Sequence, residues 1–352
     1  MPDSLADVVF AIPGDIDAPT GGYAYDRRLL ALLPSYGVDV RHVALPAGYP
    51  SPSAADLAET ERLLRATAPG TPLIIDGLAF GAMPVDLVAR IERRIIALVH
   101  HPLALETGLS DARRDALVQS EKAALAFARH VVVTSPATRR ALVADYGVDA
   151  GIVTVAEPGT DPAPRATGTG APMQLLSVGA VSPRKGYDVL IDALAKFDGM
   201  DWRLTIAGAT DRDKATVAAL RARIDSTRLG DRVTLAGTVV PATLERFYDS
   251  ADLFVLPSLY EGYGMVLAEA MSRGLAIVCT TGGAAAETVP DAAAIKVPPG
   301  DAAALSRAIA SVLGDNKLRK SMRKASWETG RTLPTWNETA RRVAAAIVGI
   351  RT

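Results

Sequence analysis

Short apolar runs recur along the chain and alternate with longer amphipathic stretches. In the first half the runs are DVVFAI (7–12), VDVRHVAL (38–45), PLIID (72–76), RIIALVH (94–100), HVVVTS (130–135) and GIVTVA (151–156). In the second half they are QLLSVG (174–179), WRLTIAG (202–208), RVTLAG (232–237), LFVLPS (253–258), LAIVCT (275–280) and AAIKV (293–297). Most are continuous rather than alternating, the pattern of parallel strands covered on both faces. Segments such as YDRRLLALLPSY and RDALVQSEKAALAFAR between them have helical periodicity. The rhythm predicts βα units and two Rossmann-like, doubly wound parallel sheets.

The stretch AEPGTDPAPRATGTGAP (156–172) is rich in Pro, Gly and Thr and lacks periodicity, so it reads as a connection between two halves. The expected division is a first domain over 1–160, a linker over 161–172 and a second domain over 173–332. A last helix over 333–352 is expected to pack back on the first domain. Two such domains are expected to face a central cleft, with ligand-binding residues just after the strands.

With 352 residues, 49% of them hydrophobic, the chain can fill two cores. Its net charge of -1 gives no overall field that would attract nucleic acid. The single Cys279 lies in the apolar run LAIVCT, reads as a small core residue and excludes an internal disulfide. The start MPDSLADVVFAIPGD lacks the basic beginning and long apolar core of a signal peptide, and no run approaches the ~20 apolar residues needed to span a bilayer. The expected location is cytoplasmic, which leaves room for peripheral contact at the inner face of a membrane.

Several motif classes fail. GYGMVL begins like a dinucleotide fingerprint but has Leu267 where the third glycine belongs, and no suitable acidic residue follows. No P-loop, H-E-x-x-H or zinc-spaced Cys/His cluster is present. The pairs Asp15/Asp17 and Asp211/Asp213 have D-x-D spacing, which suits a divalent metal beside a diphosphate, yet three-residue acidic matches are common in solvated loops.

LFVLPSLYEGYGMVLAEAM carries more. It reads as a strand, a turn over Glu261 to Gly264, and a helix whose first amides lack partners within it. Gly262 and Gly264 let a phosphate approach the backbone, and the helix dipole favours the anion. Glu261 can reach a polyol, and Glu269 can accept from a vicinal diol such as a ribose. Glutamate near a helix start is also stabilising without any ligand, so the case rests on both residues together after a strand. After the first strand of the second half, Ser182, Arg184, Lys185 and Gly186 form a basic turn suited to a diphosphate. In the first half Gly21 and Gly22 open a helix after a strand.

The segments SVGAVSPRKGYDVLIDAL, IAGA, RVTLAGTVVPATLERFYDSADLFVLPSLYEGYGMVLAEAMSRGLAIVCTTGGAAAETV and AIKVPPGDAAALSRAI resemble retaining GT-B glycosyltransferases of family 4. Glu261 and Glu269 match that family's E-x7-E motif. The resemblance covers nearly all of the second half and is looser in the first. It implies a retaining glycosyltransferase that moves a sugar from a nucleoside diphosphate sugar to an unidentified acceptor hydroxyl, on a glycan, a lipid-linked acceptor or a small molecule. By the same resemblance Arg184 and Lys185 grip the diphosphate, with Ser182 in their turn. Glu269 holds the ribose, while Glu261 and the Gly262, Tyr263, Gly264, Met265 and Val266 stretch face the donor sugar and phosphates. Gly21 and Gly22 complete the site from the first domain, and no metal or other cofactor is required.

Of the four histidines, His42 and His130 lie within or at the start of strands and read as structural. His100 and His101 end a strand where the family often has a histidine lining the sugar pocket. Adjacent strand residues point opposite ways, and the pattern His101-Pro102-Leu103 favours His101 as the catalytic residue, with His100 as a donor contact. Two rival readings remain at this stage. One is a sugar phosphorylase or nucleotide-sugar epimerase; the other is a non-catalytic nucleotide-binding subunit.

Overall fold

The computed structural model describes residues 6–196 and 200–350. The opening residues MPDSL, on which the reading of the N-terminus partly rests, lie outside the described residues. The chain divides into two units, residues 1–159 with 334–352, and residues 160–333.

Each predicted apolar run is a strand. The first unit contains β1 (Ala6–Pro13), β2 (Val38–Leu45), β3 (Leu73–Asp76), β4 (Ile95–Val99), β5 (Ala128–Val133) and β6 (Val153–Val155). They form one sheet in the order β2-β1-β3-β4-β5-β6, and every pairing is parallel. Val9, Ile75, Ala97 and Val131 from four adjacent strands enter one core cluster with Leu64, Phe80 and Leu87 from the covering helices. The continuous apolar patterning has this physical origin: a strand with helices on both faces has no side on which to place polar residues.

The second unit contains β7 (Met173–Val178), β8 (Trp202–Ala207), β9 (Val233–Gly237), β10 (Leu253–Leu256), β11 (Ala276–Thr280) and β12 (Ala294–Val297). Its order is β12-β11-β10-β7-β8-β9, again all parallel. Leu175, Leu204, Val255 and Val278 face one core with Leu190, Ile309 and Val312. Leu176, Phe254 and Ile277 face the other with Leu267 and Met271. Cys279 is fully buried there, and burial pushes its thiol up to about 12.

The helix Trp336–Gly349 belongs to the first unit. Thr339 donates to the carbonyl of Glu157 at 2.7 Å, and Tyr25 packs edge-on to Trp336 at 5.8 Å. Both sheets are doubly wound, with order reversing between β1 and β3 in one and between β7 and β10 in the other. Loops leaving the carboxyl ends of strands beside such a reversal diverge to opposite faces and leave a crevice, where open α/β sheets bind ligands.

Candidate functional site

In the second unit the two turns singled out by sequence meet at this crevice. Because β7 and β10 are neighbours, the turn Pro183–Lys185 after β7 lies against the segment 257–261 after β10. The backbone stitches them together: Leu259 N donates to Arg184 O at 2.7 Å, and the Arg184 guanidinium donates to Tyr260 O at 2.8 Å. A Cβ on Gly186 would stand 2.4 Å from Pro257 O, so only glycine permits the approach, and its φ of +61° suits glycine as well.

Three charged side chains converge there. Lys185 Nζ donates to Glu261 Oε1 at 2.6 Å, and Arg184 Nη1 lies 3.5 Å from Glu261 Oε2. Ser258, itself fully buried, donates its hydroxyl to Glu261 Oε1 at 2.6 Å. Burial alone would raise the Glu261 carboxyl, but Lys185 and Arg184, with the hydrogen bonds from Lys185 and Ser258, hold it at about 2. Glu261 is therefore a fixed anion between two fixed cations. The Glu261 backbone is anchored as well: its N–H donates to Gly282 O, and its carbonyl accepts from Ala284 N at 2.8 Å.

Gly264, at φ +91°, caps the helix Met265–Ser272. The amides of Met265 and Val266 precede the helix's first internal bonds, which begin with Leu267 N to Gly264 O. The carbonyl of Tyr263, on the approach to this cap, accepts from the Thr288 hydroxyl. One turn into the helix, Glu269 Oε2 accepts from Tyr248 at 2.8 Å. Burial raises the Glu269 carboxyl, partly offset by Tyr248 and by the Arg273 guanidinium. Arg273 in turn stacks on the Tyr248 ring at 4.3 Å and pairs with Glu245. Ser182 precedes the basic turn in an extended conformation. Sequence reasoning did not select Ser258 or Tyr248, which matter only because the fold sets them against Glu261 and Glu269.

In the first unit Gly21 and Gly22 open the helix Gly21–Leu32, capped by the Thr20 hydroxyl, which accepts from Tyr23 N at 3.2 Å. A Cβ on Gly22 would stand 3.3 Å from the His100 ring. The two histidines after β4 part company. His101 Nε2 is 3.7 Å from Glu106, whereas His100 Nε2 lies 3.3 Å from Asp26 and 3.5 Å from Asp76. Asp26 and Asp76 were not selected from sequence. The only signal available was a charged residue closing the apolar run PLIID. Among the described residues no other three acid or histidine side chains bring donor atoms within 4.8 Å of one another.

One aspartate of each D-x-D pair makes a local bond to the backbone. Asp15 accepts from Asp17 N, and Asp213 caps the helix Lys214–Ser226 by accepting from Thr216 N. His130 bonds Thr154 across neighbouring strands at 2.9 Å. No helix among the described residues is long and apolar enough to cross a membrane.

Comparison with known proteins places both halves. Residues 166–329 match the model of "Glycosyl transferases group 1", and residues 6–159 match that of a "Glycosyl transferase 4-like domain". Mannosylfructose-phosphate synthase of Agrobacterium fabrum is 27% identical over 62% of this chain and 52% of its own length. A D-inositol 3-phosphate glycosyltransferase of Kineococcus radiotolerans is 30% identical over 57% of this chain and 52% of its own. The chain thus matches about half the length of these relatives. Among solved structures, sucrose-phosphate synthase from Thermosynechococcus elongatus superposes with a TM-score of 0.82 over 97% of this chain and 99% of that one, at 22% identity. Anabaena HepE, solved in complex with UDP, gives 0.74 over 97% and 100%, at 18% identity. Two doubly wound parallel sheets, a paired-glutamate helix start and two family matches over nearly the whole chain lead to one conclusion: the protein belongs to the group 1 glycosyl transferases and has the GT-B fold of the family 4 type.

Proposed function

We propose that the chain is an enzyme that transfers a sugar from a nucleoside diphosphate sugar to an acceptor hydroxyl, with retention at the anomeric carbon. The observation that carries this reading is the fixed group of Lys185, Arg184, Ser258 and Glu261 beside the amides that open the helix Met265–Ser272. Negative charge builds on the departing diphosphate as the glycosidic bond breaks, and cations and amides already in place stabilise it without reorganising. Arg184 offers a planar fork and Lys185 a point charge. These donors are the reason no metal is invoked at the leaving group.

Glu261 takes two roles in this reading. It holds Lys185 and Arg184 before the donor arrives, and it accepts from hydroxyls of the transferred sugar afterwards. Staying ionised at any physiological pH, it never supplies a proton. Glu269, positioned by Tyr248, accepts from the two adjacent ribose hydroxyls. In the first unit Gly21, Gly22 and the His100–His101 pair are the residues assigned to substrate contacts. The reading places the enzyme in the cytoplasm.

Solved proteins of this fold were obtained with UDP and with UDP-glucose, so UDP is the first nucleotide to test. Thermal-shift measurements against UDP, GDP and ADP, then their sugars, identify the donor. A ligand at 100 times its dissociation constant stabilises by about 2.7 kcal/mol. Release of nucleoside diphosphate in the presence of an acceptor panel then measures transfer. Arg184→Ala/Lys185→Ala is expected to abolish both the shift and the release. Near-normal transfer by that variant overturns the assignment. Conversion of donor without any acceptor would instead indicate an epimerase.

A further inference from the structure

The cluster in the first unit is built from three separate elements at the β1/β3 reversal. Asp76 ends β3, His100 follows β4, and Asp26 projects from the helix Gly21–Leu32. Asp26 is fully buried and Asp76 is 2% exposed. Asp76 has a backbone partner, since its Oδ1 accepts from Leu78 N at 2.7 Å. Neither carboxylate oxygen of Asp26 has a hydrogen-bond partner of good geometry, and neither does His100 Nε2. The three groups thus face one another, with His100 Nε2 3.3 Å from Asp26 and 3.5 Å from Asp76.

Two carboxylates removed from water are tolerated only with a compensating positive charge or a shared proton. The charged groups that act on the ring are Asp26 and Asp76. Gly22 and Tyr25 pack on the ring, the latter edge-on at 5.4 Å with its hydroxyl donated to Ala156 O. Thr134 donates to the His100 carbonyl at 3.0 Å, which fixes the backbone of the residue but adds no charge. The imidazole is the source of positive charge within the cluster; a proton shared by the two carboxylates instead would leave the ring neutral, and titration of His100 separates the two states.

We infer that Asp26 is a positioning residue which, together with Asp76, keeps His100 doubly protonated and fixed in orientation at the β1/β3 crevice, so that this histidine works as a cationic hydrogen-bond donor and never as a base. The ring is not sealed off: 21% of the His100 side chain is exposed, against none of Asp26. A ligand at the crevice therefore meets an imidazolium whose counter-ions lie behind it. Burial works against the charged form of His100, but the two carboxylates outweigh it and raise its pKa. Burial also raises the Asp26 carboxyl, against the pull of His100. An ordinary histidine near 6.5 is mostly neutral at pH 7.5; this one stays charged.

The test reads the histidine directly. The protein has four histidines, so NMR of imidazole-labelled protein, assigned with His100→Gln, follows each one from pH 5 to 10 without any substrate. In the wild type His100 is expected to remain protonated through pH 8, and in Asp26→Asn its midpoint is expected to fall by at least one pH unit. A wild-type midpoint near 6.5, or a midpoint unmoved in Asp26→Asn, overturns the inference. So does a stoichiometric divalent metal that survives dialysis and is lost from Asp26→Asn, because a metal on Nε2 displaces the proton. If Asp26→Asn fails to fold, the wild-type titration and Asp76→Asn decide by the same criteria. A kinetic arm rests on the proposed transferase reading. There the rate of Asp26→Asn relative to wild type is expected to fall as pH rises from 6 to 9, following the lowered midpoint of His100, which loss of packing alone would not produce. A flat ratio overturns the inference. If no donor and acceptor pair gives transfer, the transferase reading fails, while the titration still decides the state of His100.

Discussion

Replacing Lys185 by alanine removes the nearer of the two cations on Glu261 and leaves Arg184 at 3.5 Å and Ser258 in place. The Glu261 carboxyl falls from 4.5 to about 2 on folding, and at about 1.4 kcal/mol per pH unit this corresponds to roughly 3 kcal/mol of stability at neutral pH. Lys185 supplies both a charge and a hydrogen bond to that total, so its loss is expected to remove about 2 kcal/mol, somewhat below the usual loss for orphaning a buried charge because Arg184 remains. For a unit of this size that is a drop of roughly 4–8 °C in Tm. The sign follows from a carboxyl whose pKa is depressed by folding. Its contribution is complete above the unfolded value and disappears as pH falls toward the folded one. The deficit of Lys185→Ala should therefore be full at pH 7, persist for the most part at pH 3.5, where folded wild-type Glu261 is still ionised, and fall to less than half by about pH 2.5. Urea unfolding followed by tryptophan fluorescence at pH 7, 3.5 and 2.5 measures it, because Trp202 and Trp327 both belong to the second unit. A loss below about 0.5 kcal/mol at pH 7, the scale of an ordinary surface change, refutes the reasoning. An equal loss at pH 7 and about pH 2.5 refutes it too, since it would point to lost packing rather than lost charge.

Three further outcomes follow from other contacts. Tyr248→Phe deletes the 2.8 Å hydrogen bond to Glu269, and a hydrogen bond to a charged group contributes about 1.5–3 kcal/mol. The donor KM is expected to rise about tenfold or more with kcat changed far less, and a fall confined to kcat contradicts the ribose role. Gly208→Ala would place a Cβ 2.1 Å from the Gly179 carbonyl oxygen, between the ends of β8 and β7. Backbone on both sides cannot yield, so the loss should exceed ~3 kcal/mol; a soluble variant melting within a few degrees of wild type disproves the close approach. Glu121, 1% exposed, accepts from Leu103 N at 2.9 Å, and burial pushes its carboxyl up to about 8 despite that bond. Its stabilising contribution is complete below the unfolded value of 4.5 and is lost as pH rises through 8. Wild type should therefore lose about 2 kcal/mol or more relative to Glu121→Gln between pH 5 and 8, with the gap level above pH 9. Calorimetry across that range checks it, and a constant gap rejects it.

The sheets were legible because continuous apolar runs have few alternatives in a chain with this rhythm, and all twelve runs are strands. The second unit's group was legible because each half of it is local in sequence: a basic turn directly after β7, and a glycine-flanked glutamate directly after β10. What sequence could not supply was their contact. That depends on β7 and β10 being neighbours, which follows from strand order and from no pattern along the chain. The same holds more sharply in the first unit. Asp26 sits among the polar residues of an ordinary amphipathic helix, and nothing local distinguishes it from the arginines beside it. It becomes a buried anion only when β1, β3 and β4 set the helix Gly21–Leu32, Asp76 and His100 around one crevice.

Contact also changes the chemistry assigned to residues that were selected correctly as polar or charged. From sequence, Arg184 and Lys185 have the diphosphate and Glu261 has the sugar, as separate tasks. In the folded chain the three form one ion group before any ligand binds, with Glu261 already occupying the positive charge. A diphosphate approaching those cations meets a charge balance closer to neutral than two free cations would offer. Its electrostatic gain on binding is correspondingly smaller. The gain grows only as the leaving group becomes more negative than the bound donor. Under the proposed reading this is the differential that lowers a barrier rather than merely tightening the ground state. Neutralising Glu261 should then tighten binding of nucleoside diphosphate while slowing transfer. Glu261→Gln, measured by calorimetric titration with the diphosphate and by single-turnover transfer, is expected to show both changes in opposite directions. Weaker diphosphate binding by that variant would mean that Glu261 serves mainly to hold the cations in place, and the argument from charge balance would fall.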